Sequence, residues 1–101
     1  MTYTVVIERS AEEDFAAAAE FYEGCQTGLG QRFTQDVLAV FRRASLNPEM
    51  FPRATGKTRK AKIPNWPYSF YFTIKPAAAE LVISTIWHGS RDPAKLRRRL
   101  I

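Results

Sequence analysis

The sequence predicts an α+β fold in which a helical hairpin covers one face of an antiparallel sheet. The first half of the chain carries two stretches whose apolar residues recur every three or four positions, as in amphipathic helices. The second half carries three strand-like stretches joined by short links, which favour the antiparallel pairing of successive strands. A chain of 101 residues with ordinary globular composition is too short for two cores, so we expect residues 1–101 to form one domain.

The first predicted element is a strand over residues 3–9, in which positions 3, 5 and 7 are apolar and form one face. Ser10, with Glu13 three positions later, has the spacing of a capping box, so a helix is expected to begin there. This helix should continue to about residue 22 or 25. Its apolar stripe comprises Ala11, Phe15, Ala18, Tyr22 and Cys25. Cys25 is the single cysteine, cannot form an intrachain disulfide and is predicted to be a small core residue.

Glycines at positions 24, 28 and 30 separate this helix from a second one, expected over about residues 29–46 and ended by Asn47-Pro48. The short link predicts that the two helices pack antiparallel. The buried stripe of the second helix comprises Leu29, Phe33, Val37, Val40, Phe41 and Ala44. Residues 50–56 are predicted to form a loop.

Three strands are expected at about residues 57–63, 68–75 and 80–87. The middle strand alternates, with Tyr68, Phe70, Phe72 and Ile74 on one side and Ser69, Tyr71, Thr73 and Lys75 on the other. We expect its apolar side to lie beneath the helices and its polar side to form an open sheet face. Trp87 shares the parity of Leu81 and Ile83 and is expected in the same core. Asp92-Pro93 predicts an N-cap followed by a short basic helix over residues 93–99.

The charges divide the chain into an acidic and a basic part. The net charge is +5, but residues 8–23 hold six acids and one arginine, whereas residues 53–75 hold six cations and no acid. Such a division favours an anionic partner over a merely solvated surface. The sequence has no Cys/His cluster and no glycine-rich phosphate loop, so neither a metal site nor a cofactor is expected. It has no signal peptide and no apolar run long enough to span a bilayer, so a cytoplasmic location is expected.

Four side chains could carry chemistry. His88 could act as a general acid or base, or could simply be held by backbone hydrogen bonds at a strand end. Arg59 and Lys62, with Lys60 between them, could bind phosphate, or could protect an edge strand against aggregation. Tyr71 could stack on a base or donate a proton, or could pack at the sheet margin.

The C-terminal segment supplies candidate partner-binding residues, namely Arg91, Arg97, Arg98 and Arg99. An acidic protein segment or a nucleic acid could bind to them, although many such basic runs are only solvated. Asp92 is expected to cap the helix that follows it.

The order of these features resembles the RelE/ParE family, the toxins of bacterial type II toxin-antitoxin systems. The resemblance covers almost the whole chain: a leading strand, a helical hairpin, a basic strand, the Pro67-Tyr68 strand with Tyr71, and the segment His88-Gly89-Ser90-Arg91-Asp92-Pro93. The ending is more similar to the ParE-like branch than to the RelE branch. Arg59 matches the arginine that recurs in the family ahead of the Pro-Tyr strand.

The resemblance implies a cognate antitoxin as partner and leaves three functions open. A ParE-like toxin would bind DNA gyrase and trap it on cleaved DNA, with the helical hairpin and the C-terminal region as contact surfaces. A RelE-like toxin would be a metal-independent endoribonuclease acting on translated mRNA through His88, Arg59, Lys62 and Tyr71. Nuclease members often carry a tyrosine near the C-terminus, and this chain has none after Tyr71. A non-toxic binding module with the same fold is the third possibility.

Overall fold

The computed structural model describes residues 2–100, and within them five strands form one sheet with two helices packed on one face. The elements are β1 (Thr4–Ile7), α1 (Arg9–Cys25), α2 (Leu29–Leu46), β2 (Arg53–Thr55), β3 (Thr58–Lys62), β4 (Tyr68–Lys75), β5 (Glu80–His88) and α3 (Pro93–Leu100). The strand order is β1-β5-β4-β3-β2. The strands from β2 to β5 pair antiparallel, and β1 pairs with β5 in parallel. The expected α+β fold is confirmed.

The core lies between the α1–α2 hairpin and the sheet face that we call the helix face. The fully buried large side chains of this core are Phe33, Val37, Ile63, Phe70, Phe72, Leu81, Ile83 and Ile86. Most are the residues that the two periodicities place inside. Their rings meet edge to face: the centroids of Phe41 in α2 and Phe70 in β4 are 4.8 Å apart. The opposite side of the sheet is the outer face.

The bounds of α2 agree with the prediction, and β3, β4 and β5 each agree to within a residue or two. Strand β2 lies in the segment predicted as a loop, because a three-residue strand with every side chain exposed shows no alternation. Because β2 forms the edge of the sheet, β3 lies between β2 and β4. It is therefore not the edge strand that the sequence suggests.

Two predictions for α1 are wrong. The helix begins at Arg9, one residue before Ser10, and no side chain caps it. The Ser10 hydroxyl instead donates to the carbonyl oxygen of Ser84 at 3.2 Å, because the first turn of α1 lies against β5. Cys25 is exposed and not in the core, since it is the last residue of the helix.

A β-bulge at Ser84 reverses the side-chain parity of β5. Tyr71 in β4 pairs with Thr85, but Phe72, the next residue, pairs with Ile83, so Ser84 is the extra residue. Trp87 is therefore buried as expected, at 4% exposure, but on the outer face and not with Ile83.

The link between α1 and α2 is closed by Glu23. Its carboxylate accepts hydrogen bonds from the backbone N–H groups of Gly28, at 2.8 Å, and Gly30, at 3.0 Å. A side chain of α1 thus satisfies donors at the N-terminus of α2, where a negative charge is favourable. Gly28 has a φ of +89°, in the left-handed region that glycine adopts without strain. The helices then approach so closely at Gly30 that a Cβ atom there would lie 2.4 Å from the carbonyl oxygen of Ala19.

Replacement of Gly30 by alanine should therefore destabilise the protein by about 1–3 kcal/mol, because a backbone oxygen cannot move aside without displacing α1. Gly24→Ala is the matched control. A Cβ atom at Gly24 meets nothing within 4 Å, so this change should be neutral or stabilise the helix by up to about 1 kcal/mol. Urea unfolding midpoints measure both. Equal midpoints for the two variants would contradict the close approach.

Candidate functional site

The C-terminal end of β5 gathers a cluster of aromatic and cationic side chains. The guanidinium carbon of Arg91 lies 3.9 Å from the ring centroid of Trp87, and that of Arg99 lies 5.6 Å from the same centroid. Both distances are within the range of cation–π attraction. Within residues 2–100 the buried indole N–H of Trp87 has no hydrogen-bond partner. Packing and the two guanidinium groups therefore hold this side chain.

Asp14 of α1 connects this cluster to the rest of the fold. Its Oδ2 atom accepts hydrogen bonds from Arg99 Nη2 at 2.6 Å and from Thr85 Oγ1 at 3.2 Å. Arg99 Nη2 also donates to the carbonyl oxygen of Ser10 at 3.2 Å. Arg99 and Asp14 form an ion pair whose side chains are only 26% and 18% exposed. One carboxylate thus ties α1, β5 and α3 together.

Helix α3 lies over part of the outer face, which the sequence predicted to be open. Its Leu96 and Arg97 line a groove of about 450 Å³ together with Lys60 of β3 and Tyr71 of β4. Tyr71 is buried to 6% exposure, and this burial raises the pKa of its phenol. The hydroxyl therefore stays protonated at neutral pH and cannot serve as a base. Asp92 caps α3 as predicted, accepting the backbone N–H of Ala94 at 2.9 Å.

His88 is engaged through one of its two ring nitrogens. Nδ1 accepts the backbone N–H of Ser90 at 3.0 Å and lies 2.8 Å from the Ser90 hydroxyl. Because a backbone N–H only donates, Nδ1 is unprotonated, and the neutral ring carries its hydrogen on Nε2. The ring packs edge to face on Tyr68, with centroids 5.0 Å apart. Nε2 is therefore the ring nitrogen available to an outside group, whereas Nδ1 is engaged by Ser90.

The structure does not bring the four proposed catalytic residues together. Arg59 of β3 pairs with Phe72 of β4, and His88 of β5 pairs with Tyr68 of β4, so both side chains belong to the helix face. The two β4 partners are four residues apart, a separation of roughly 13 Å along the strand. The Arg59 Nη1 atom donates to the carbonyl oxygens of Phe51, at 2.7 Å, and Glu49, at 3.3 Å.

Lys62 lies on the other side of the sheet. It pairs with Ser69, which also pairs with Trp87, so Lys62 lies in the outer-face row that contains Trp87. Tyr71 lies on the same face one row further along.

Of the predicted partner-binding residues, Arg91, Arg97 and Arg98 are exposed, and Arg99 forms an ion pair with Asp14.

Sequence reasoning missed Asp14, although a signal for it is present. Asp14 lies three residues after Ala11 and four before Ala18, and both alanines are buried in α1. An acid at this spacing lies beside the apolar stripe, where it needs a polar partner.

Across residues 2–100, no group of three His, Cys, Asp or Glu side chains is placed to hold a metal ion. Within the same range no helix combines the length and apolar character needed to cross a membrane.

A double-mutant cycle tests the connection made by Asp14. We expect Asp14→Asn and Arg99→Gln each to destabilise the protein by about 1–2 kcal/mol, with a coupling energy of about 1 kcal/mol, because the partly buried pair joins three elements. Arg98→Gln, which changes an exposed neighbour in the same helix, is the control and should change the free energy of unfolding by less than about 0.5 kcal/mol. Urea unfolding supplies the values. Strict additivity of the two single changes would show that the pair does not hold α3.

Comparison with known proteins identifies the family. The sequence model described as "ParE toxin of type II toxin-antitoxin system, parDE" matches residues 5–93. The fold is similar to a chain of the chromosomal ParDE toxin-antitoxin system of P. aeruginosa, with a TM-score of 0.71 and 20% identity, covering 86% of this chain and 96% of that one.

Two further solved structures share the fold. One belongs to the RelBE2 toxin-antitoxin complex of Mycobacterium tuberculosis, with a TM-score of 0.63 and 17% identity over 87% of this chain and 99% of that one. The other is a mutant of the E. coli toxin RelE in the free state, with a TM-score of 0.65 and 8% identity over 100% of both chains. No curated protein sequence matches significantly. Because the family model spans most of the sequence, the chain belongs to the ParE toxin family of type II toxin-antitoxin systems.

Proposed function

We propose that this toxin stops growth by binding DNA gyrase and trapping it on cleaved DNA, and that a cognate antitoxin neutralises it. The observation that carries the choice of target is the dispersal of the candidate catalytic groups. A nuclease needs its acid, base and phosphate-binding groups around one scissile bond, within hydrogen-bond reach of the substrate. Arg59 and His88 lie on the two strands that flank β4 and are displaced from each other by four residues along it, and Lys62 and Tyr71 lie on the other side of the sheet.

The state of the individual side chains also favours binding over chemistry. The Nδ1 atom of His88 is occupied by Ser90, and the guanidinium group of Arg59 is held by two backbone carbonyls. Tyr71 is buried. A protein that acts by holding its target needs exposed contact groups and no converging acid and base.

Two exposed regions of the fold are suited to contact a large partner. The α1–α2 hairpin presents Phe21 and Leu38, which are 64% and 45% exposed. The end of β5 and α3 presents Arg91, Arg97 and Arg98. Aromatic and arginine side chains contribute disproportionately to protein interfaces. We assign the hairpin and the C-terminal region to the contact with gyrase.

The antitoxin is proposed from the same surface charges. The solved relatives include toxin-antitoxin complexes from P. aeruginosa and Mycobacterium tuberculosis. The exposed cations of α3 have no acidic partner within residues 2–100 apart from the Arg99–Asp14 pair. An acidic segment of an antitoxin, ordered on binding, would neutralise them and cover apolar surface.

A supercoiling assay tests the proposed target. The purified toxin in stoichiometric excess should inhibit purified gyrase and increase the cleaved DNA recovered after detergent and protease treatment, because a trapped cleavage complex keeps the DNA broken. Addition of the antitoxin encoded beside the gene should reverse both effects. His88→Ala should retain gyrase inhibition, since no chemistry of the imidazole is required.

Two results would contradict the proposed target. One is unchanged supercoiling at every toxin concentration. The other is site-specific cleavage of mRNA on translating ribosomes, detected by toe-printing and lost in His88→Ala and Arg59→Ala, which would instead establish the RelE-like endoribonuclease. Growth unaffected by expression without the antitoxin would point to a non-toxic module.

Charge reversal on α3 tests the antitoxin surface. Arg97→Glu combined with Arg98→Glu should weaken antitoxin binding by about ten- to a hundredfold, or about 1.4–2.8 kcal/mol, because attraction becomes repulsion. Arg32→Glu combined with Arg42→Glu makes the same change in charge on exposed positions of α2 and is the matched control. Isothermal titration calorimetry measures both affinities. An equal loss in the two double variants would indicate an effect of net charge alone.

A further inference from the structure

The β2–β3 hairpin carries cations that edge protection does not explain. Residues 53–62 include five Lys or Arg and no acid. Charges on an edge strand prevent pairing with other chains. In this sheet β2 is the edge, and it pairs with β3 at Thr58 and Arg59, with a further hydrogen bond from the backbone N–H of Lys60 to the carbonyl oxygen of Pro52. Of the five cations only Arg53 lies on the edge strand. Arg59 and Lys60 lie on the part of β3 that this pairing covers, where that function is not needed, and Lys62 lies beyond it.

The cross-strand partners of these cations leave the charges uncompensated. Arg53 lies directly opposite Arg59, and like charges in that position destabilise a sheet. In β4, the residues that pair with Arg59, Lys60 and Lys62 are Phe72, Tyr71 and Ser69. Among residues 2–100 the sole ion pair is the distant one between Arg99 and Asp14. The fold thus retains a cross-strand pair of like charges that has no ion-pair partner among the described residues.

A groove collects three of the five cations. Arg53, Lys57 and Arg59 line it together with Ile74, Pro76 and Glu49, and its volume is about 380 Å³. Arg59 is fixed in place, because its Nη1 atom is committed to the carbonyl oxygens of Phe51 and Glu49. The remaining donors of its guanidinium group are held in one orientation, so little side-chain entropy is lost when they bind an anion.

We propose that this groove, which we call the hairpin groove, binds the phosphodiester backbone of a nucleic acid. Within the groove Arg53 and Arg59 are directly opposite each other on β2 and β3, and the Cα atoms of such cross-strand partners are only about 4.5–5.5 Å apart. A nucleic acid strand carries one charge per about 3.4 Å, which can satisfy several closely spaced cations at once. An extended acidic peptide presents carboxylates to one side only every second residue, about 6.6 Å apart. The charge density of the hairpin therefore favours phosphodiesters over an acidic peptide.

The proposal goes beyond the action on gyrase and requires neither gyrase nor antitoxin. It assigns no catalysis to the groove. The groove is lined from β2, β3 and the end of β4, whereas the cations assigned to the antitoxin are exposed residues of α3. Contact with DNA at this groove would leave α3 free.

Fluorescence anisotropy of the isolated full-length toxin with a labelled DNA duplex tests the proposal, with a single-stranded RNA of equal length as a second arm. Salt is varied between about 50 and 200 mM. Arg53→Gln combined with Lys57→Gln removes two exposed cations that make no hydrogen bond among the described residues. Arg32→Gln combined with Arg42→Gln removes the same charge from α2. Circular dichroism confirms that each variant is folded.

The hairpin variant should weaken binding at least about tenfold at low salt and lower the slope of log affinity against log salt by about 2 on DNA, close to 0.9 per lost phosphate contact. The α2 variant should leave the slope unchanged. Loss confined to the DNA or the RNA arm identifies the source of the phosphodiester. Equal losses in both variants, no binding by the unaltered toxin, or equal competition by a poly-glutamate peptide would each overturn the proposal. Because gyrase is absent, these outcomes are independent of the supercoiling result.

Discussion

The arrangement of the site depends on the carboxylate of Asp14. It accepts hydrogen bonds from Arg99 in α3 and Thr85 in β5 while belonging to α1. Helix α3 has no fully buried residue of its own among the described residues, so burial alone does not fix its position. The ion pair and the contact of Arg99 with Trp87 place α3 across the outer face. A partly buried, hydrogen-bonded pair of this kind fixes geometry even when its net contribution to stability is small.

The sequence was sufficient to predict the layers of the fold but not its register. Periodicity reports which side chains are buried, and it correctly placed Phe33 and Phe41 in α2 and Phe70 and Phe72 in β4. It could not reveal the bulge at Ser84, because one extra residue reverses parity without changing the composition of the strand. This is why Trp87 was assigned to the wrong face although its burial was predicted correctly.

The candidate site was less predictable for a related reason. Arg59 and His88 are prominent in the sequence, yet which residues share a row of the sheet depends on strand pairing between distant segments. The bond from Thr85 to Asp14 joins residues 71 positions apart, and no local pattern encodes it. The family match shows a toxin of a type II toxin-antitoxin system, and the candidate catalytic groups lie apart in its fold.

The parallel pairing of β1 with β5 has a consequence for how the toxin is made. Thr4 pairs with Glu80 and Ile7 with Ile83, so β1 has no neighbouring strand until β5 has been synthesised. Such long-range pairing raises the contact order and slows folding. During translation, β1 and the hairpin emerge long before the strand that completes the sheet. We therefore expect no toxic activity from a nascent chain in which β5 has not yet been synthesised, because the sheet and the cluster at the end of β5 are incomplete until then.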